Sequence, residues 1–318
     1  MTIHMDPRDS LGTVDTASPE AVADEVCRIL AKRYEGFADA PMRQCFSDIK
    51  LAHAGNYSGL LACDMPYHDL CHALGTALLM ARMVDGYEAS RGDDLPEFGR
   101  DIGCMAVVLA LFHDIGFLRR DTEGHLNGAS LDRDHEQRSV DFVQAYLAQG
   151  TLACFAAQAG LIHATNFQLP VAECLSGQPP EFFLLGQMLG TADLISQVAD
   201  RYYLERCRDF LFAEFTAAGT DHRVEADGTV TVCYASPQDL LRKTPEFFEH
   251  VIKRRLDTEL GRVSRFIAPH FGGDDPYARG IERNMGYLRS LIERNDFSRL
   301  QRKPPRMLSL KTRPSGTL

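Results

Sequence analysis

The chain has 318 residues, 45% hydrophobic and 25% charged, with 44 acids against 34 bases and a net charge of −10. This is the balance of an ordinary globular protein. An acidic surface argues against a binder of the nucleic-acid backbone, which needs a basic footprint, and no apolar run approaches the ~20 residues that span a bilayer. The nine cysteines are scattered with no C-x-x-C pair, which reads as free thiols in a reducing cytoplasm rather than a disulfide framework. The opening stretch "MTIHMDPRDSLGTVDTASPE" lacks the apolar core of a signal peptide, so a cytoplasmic location is expected.

Residues 1–17 read as a disordered N-terminus. Ser18-Pro19 is a helix start, an N-cap followed by proline at the first helical position, and Val22, Val26, Ile29, Leu30 and Tyr34 follow at helical spacing. Further helical stretches are expected near 38–53, 66–86, 97–112, 135–148, 152–165, 180–217, 245–268 and 276–294. Gly150 marks a stop, while Thr244-Pro245 and Asp275-Pro276 open the last two. "HRVEADGTVTVCYASP" alternates apolar and polar residues about Asp227-Gly228 and predicts a small β-hairpin with a type I′ turn. No repeat of fixed period is present. From Ser298 onward there are six bases, no acids and two adjacent prolines, the composition of a solvated tail. The expectation is an all-α helical domain over 18–217. A C-terminal hairpin and supporting helices over 218–297 would pack on the same domain, followed by a basic flexible tail over 298–318.

The chemistry-bearing residues cluster. Six of the eleven histidines lie between residues 68 and 163. His68 and His72, in "YHDLCHALG", are four apart and are expected on one helical face. His113 and Asp114 close the apolar helix ending "LALFHDIGF". His135 begins "HEQRSVDF", His163 sits in "LIHATNF", and Asp193 lies inside the apolar "LGTADLISQVADRYY". Burying an imidazole and a carboxylate side by side without a partner costs several kcal/mol. Imidazole and carboxylate together suit divalent metal ions, and helices of a bundle each giving one or two inward ligands build such centres.

In this order the residues resemble the HD superfamily of metal-dependent phosphohydrolases, an all-helical family with the pattern H…HD…D and two more histidines between HD and the last D when two metals bind. The match runs through His72, His113, Asp114, His135, His163 and Asp193, covering about residues 60–215. "YHDLCHALG" is also similar to the "YHNxxHA" element of cyclic-nucleotide phosphodiesterases, and "TADLISQ" to the segment carrying their last metal aspartate. The resemblance implies an HD-type helical bundle with extra N- and C-terminal helices, and metal ligands His72, His113, Asp114, His135, His163 and Asp193. It implies two divalent ions (Fe, Mn, Mg, Zn or Ni) bridged by Asp114, with His68 protonating the leaving oxygen. The substrate would be a nucleotide or other small phosphoester, with neither nucleic acid nor membrane as partner and homo-oligomerisation left open. Two differences stand out: Asp69 replaces the asparagine of "YHN", and Phe117 follows "HDIG" where many relatives carry lysine or histidine. Arg119, Arg120 and Arg201 are the nearby cations that could serve phosphate instead. An HD-type di-iron oxygenase, similar to myo-inositol oxygenase, and a non-catalytic HD sensor or scaffold are the rival readings.

Overall fold

The computed structural model describes residue 9 and residues 12–224 and 227–305. Among these, twelve α-helical segments and one two-stranded sheet follow one another: α1 (Pro19–Arg33), α2 (Asp39–His53), α3 (Leu70–Ser90), α4 (Gly99–Phe112), α5 (His135–Leu147), α6 (Val171–Cys174), α7 (Pro180–Val198), α8 (Tyr203–Arg206), α9 (Phe212–Ala218), β1 (His222–Val224), β2 (Val230–Val232), α10 (Pro237–Phe247), α11 (Ile267–His270) and α12 (Pro276–Glu293). The fold is all-α with one small hairpin, as the sequence implies. No single helix among the described residues is long and apolar enough to cross a membrane.

The spine is α3. It is buried from Leu70 to Tyr87 with few interruptions and packs against α1, α4, α7 and α11. Its near-uniform apolarity fits that central position, since a helix covered on all sides has no face to give to solvent. By contrast α1 buries only Val22, Val26, Ile29, Leu30 and their neighbours, and the Ser18 hydroxyl accepts from the Ala21 N–H as its cap.

Several boundaries differ from expectation, each for a local reason. Helix α3 starts at Leu70 rather than at 66, because the Tyr67 and His68 N–H groups donate to Glu214 Oε1 and Asp69 takes the N-cap position. His68 therefore precedes the helix and does not share its face. The segment expected over 180–217 breaks after α7 and turns through 90° into α8 and α9. Buried Asn284 of α12 donates to the Val198 and Asp200 carbonyls at 2.8 and 2.7 Å, satisfying groups that the break leaves open. Residues Ala153–Thr165 wind as a 3-10 helix rather than an α-helix.

The helix expected from 245 begins at Pro237, where Ser236-Pro237 repeats the Ser18-Pro19 start, and Pro245 falls inside it. In the hairpin, His222 pairs with Val232 and Val224 with Val230. That register centres on residue 227 and leaves an odd number of residues between the strands, so a two-residue turn at Asp227-Gly228 does not fit it; residues 225 and 226 of the turn lie outside the described residues.

Neither chain end is wholly without structure. The Asp9 carboxylate accepts from the Thr13 and Val14 N–H groups and pairs at 2.7 Å with Arg82 of α3, a guanidinium whose side chain is 1% exposed. Tyr277 of α12 accepts from the same guanidinium at 2.6 Å. At the other end Leu300, Pro304 and Pro305 are buried. Residues 1–8, 10–11 and 306–318 lie outside the described residues. Removing one member of a buried ion pair leaves the other uncompensated, at about 3–5 kcal/mol. Asp9→Ala should therefore destabilise the protein by about that amount in urea denaturation, and a loss below about 1 kcal/mol, the scale of a surface pair, would show that the pair does not anchor the N-terminal segment.

Candidate metal centre

Three helices converge at one point. His72 comes from the first turn of α3, His113 and Asp114 from the end of α4, and Asp193 from the middle of α7. His72 Nε2 lies 3.1 Å from Asp114 Oδ2 and 3.1 Å from Asp193 Oδ1. His113 Nε2 lies 3.2 and 3.4 Å from the same two oxygens, and the two Nε2 atoms are 3.1 Å apart. Donors ~2.1 Å from one ion stand about 3.0 Å apart when adjacent in an octahedron and about 3.4 Å apart in a tetrahedron. The observed edges fall on that scale, and His72, His113 and Asp114 could hold a metal ion.

The tautomers agree with this reading. His113 Nδ1 faces the Ala110 carbonyl at 2.8 Å, and His135 Nδ1 faces the Asp132 carbonyl at 2.6 Å. A carbonyl only accepts, so each Nδ1 carries the hydrogen and a neutral ring presents its Nε2 lone pair inward. Metal-ligating histidines are usually oriented in this way. Electrostatics point to the same need. Against the cost of burial, Asp114 and Asp193 push His113 well above the usual imidazole range. The imidazoles in turn hold both carboxylates well below theirs, again against burial. The cluster demands positive charge, supplied by protons or by a cation.

Asp114 has two faces. Its Oδ2 meets His72 and His113, while its Oδ1 turns to His135 Nε2 at 3.8 Å. Gly116 makes this approach possible. A Cβ there would lie 1.9 Å from the His135 carbonyl oxygen, so only glycine lets the "HDIG" turn close on α5. Ser139 Oγ accepts from the Gly116 N–H at 2.8 Å, and Arg138 Nε donates to its carbonyl at 2.8 Å. His163 stands partly buried on the 3-10 segment, and its ring lies within hydrogen-bonding distance of no described carboxylate. That segment meets α5 instead through Asn166, which donates to the buried Glu136 at 2.8 Å.

His68 stands beside the cluster, its ring 5.7 Å from that of His72. Its Nδ1 lies 2.6 Å from Glu214 Oε2, a carboxylate 5% exposed. Burial works against a charge on His68, yet Glu214 outweighs it, with Asp114 and Asp193 adding, and the imidazole is pushed up to about 9. Asp69 caps α3 through the His72 N–H and pairs with Arg206 at 3.0 Å. Arg119 is directed to Asp64 and to the Leu126 carbonyl rather than to the cluster. No protein-family model matches the chain, and comparison with curated proteins returns no significant match.

Glu214 and Arg206 were not singled out from sequence. The available signal for Glu214 was a lone acid inside the apolar "LFAEFTAA". Two outcomes follow from this geometry. Gly116→Ala should cost about 1–3 kcal/mol, as overpacking does, and should weaken ion binding by displacing His135 from Asp114; unchanged thermal stability would contradict the close approach. The His68–Glu214 pair raises a folded-state pKa, so its stabilisation is fully present below the free imidazole value of ~6.5 and is lost as pH rises through about 9. The stability difference between the wild-type protein and Glu214→Gln should shrink across that window, and a difference that grows with pH would refute the pairing.

Proposed function

We propose that this protein is a metal-dependent phosphohydrolase of the HD type, cleaving a phosphoester of a nucleotide or other small molecule in the cytoplasm. The observation that carries the reading is the convergence of His72, His113, Asp114 and Asp193 beside an imidazole whose Nδ1 lies 2.6 Å from its own buried carboxylate, Glu214. His72, His113, Asp114 and Asp193 would hold one divalent ion. Asp114 Oδ1 and His135 would hold a second, with His163 as the further ligand that the resemblance implies. Fe, Mn, Mg, Zn and Ni all accept such donors, and ions bound there would neutralise phosphate charge and supply a water ionised near neutral pH.

The chain's own part is proton transfer and placement. With Nδ1 engaged by Glu214, His68 has Nε2 left to donate. As the bond from phosphorus to the leaving oxygen breaks, the Nε2 proton passes to that oxygen, and the imidazole regains a proton from solvent. Arg206 and Asp69 hold the start of α3, and through it His72. The same donor set would serve an oxygenase, but the His68–Glu214 pair favours a reaction whose leaving group needs a proton.

The test is a screen of Mn²⁺-loaded protein against nucleotides and small phosphoesters, with oxygen uptake followed in parallel. Hydrolysis without oxygen consumption is expected; oxygen uptake with no phosphoester turned over would overturn the reading. In the active case His68→Ala should keep its ion content and lose about 10²–10⁴ in turnover on alkyl esters, with a much smaller loss on nitrophenyl esters. Equal losses on both would remove the proton-donor role. Because Glu214 raises the imidazole above its usual range, the rate should fall only at a pH above the free imidazole value of ~6.5, and Glu214→Gln should move the fall toward it.

A further inference from the structure

Phe117 ends the 3-10 turn that follows Asp114 and is 2% exposed. Its ring lies between two imidazoles. It stacks on His68 with centroids 5.0 Å and planes 18° apart, and on His135 at 4.0 Å and 14°. The main core does not account for this position, because Phe117 belongs to a separate small cluster with Met65 and Ala129.

Each imidazole is anchored at Nδ1, His68 by Glu214 and His135 by the Asp132 carbonyl. The other contacts, Glu136 at 3.3 Å from His135 Nδ1 and the edges of Tyr67 and His72 on His68, limit each ring without covering its face. A flat partner parallel to the ring removes the freedom that remains. With Nδ1 anchored and one face covered, each Nε2 is confined to a narrow range of directions. One side chain does this for both rings, and it sits on the same turn as Asp114, the carboxylate that His135 faces.

Resting on the phosphohydrolase reading for the roles of the two nitrogens, the geometry points to Phe117 as a positioning residue that couples the proton donor His68 to the second-ion ligand His135. His72 and His113 do not stack on Phe117. Of the first-ion ligands only Asp114 shares its turn, through a Phe117 N–H bond to the Asp114 carbonyl at 3.1 Å that any side chain at 117 keeps. The first ion position should therefore survive loss of the ring. Loss of the flat face should weaken the second ion and misalign the proton donor together, while the first ion stays.

The test uses Phe117→Leu, which keeps apolar volume without a flat face, and Phe117→Tyr, which keeps the face. Phe117→Met answers the same question if the leucine variant does not fold. Mn²⁺ binding to the full chain should show the first ion unchanged in Phe117→Leu and the second weakened by about 10–100-fold, the usual effect of removing an outer support. In the metal-free protein, the ring-proton resonances of His68 and His135 should carry the shift of a shared aromatic ring and should both relax in Phe117→Leu but not in Phe117→Tyr. Turnover of a dialkyl phosphate should fall more than that of bis(p-nitrophenyl) phosphate.

A leucine variant that loses thermal stability alone, with the second ion and both resonances unchanged, would overturn the proposal. So would equal weakening of both ions, or a wild-type protein that binds only one. The resonance and Mn²⁺ arms use no substrate, so a protein that passes them and hydrolyses no phosphoester would refute the proposed reaction and leave the placement by Phe117 standing.

Discussion

Two imidazole nitrogens 3.1 Å apart, each also facing the carboxylates of Asp114 and Asp193, form the contact on which the rest of this structure depends. Polar groups brought this close in a dry interior are costly unless something of opposite charge joins them. A protein that needed only stability would do as well with apolar side chains of similar volume. Here the surrounding structure holds the arrangement in place. The Ala110 carbonyl fixes the His113 tautomer, Asp69 and Arg206 fix the first turn of α3, and Gln197 donates to Asp193 at 2.8 Å. The cluster is supported on every side rather than merely tolerated.

The C-terminal half is therefore part of the site rather than a buttress for it. The break after α7 and the 90° turn carry the chain back so that α9 brings Glu214 to Tyr67 and His68. Asn284 of α12 holds that break, and Arg206, at the end of α8, reaches Asp69. A substitution at any of these positions acts on His68 or His72 from a distance. Asp69 has two local roles at once, pairing with Arg206 while capping α3.

Much of this was legible in the sequence. Helical spacing located α1, α2, α4, α5 and α12 to within a few residues, and Ser-Pro starts marked α1 correctly. The residue types and their order single out His72, His113, Asp114 and Asp193, which the fold brings together. What was not legible depends on contacts between distant segments. Nothing near Asp9 announces that Arg82, a cation in an apolar helix, will take it as counter-charge. The spacing of His68 from His72 fits one helical face, but Glu214 draws the Tyr67 and His68 N–H groups out of the helix. Thr244-Pro245 has the look of a start, yet the serine cap upstream at Ser236 begins the helix first. His163 has the right place in the order of residues, but its segment winds as a 3-10 helix rather than the expected α-helix.

The central claim is that His72, His113, Asp114 and Asp193 form a cation site rather than a buried hydrogen-bond cluster. Titration of the metal-free protein with cobalt(II), followed by its visible absorption, tests this without a substrate. The account predicts saturable binding with the spectrum of a nitrogen- and oxygen-ligated ion. The affinity should fall as pH drops through the imidazole range, since protons and the ion compete for the same atoms. A wild-type protein that binds no cobalt, or a His72→Ala/His113→Ala double variant that folds and binds it unchanged, would contradict the account.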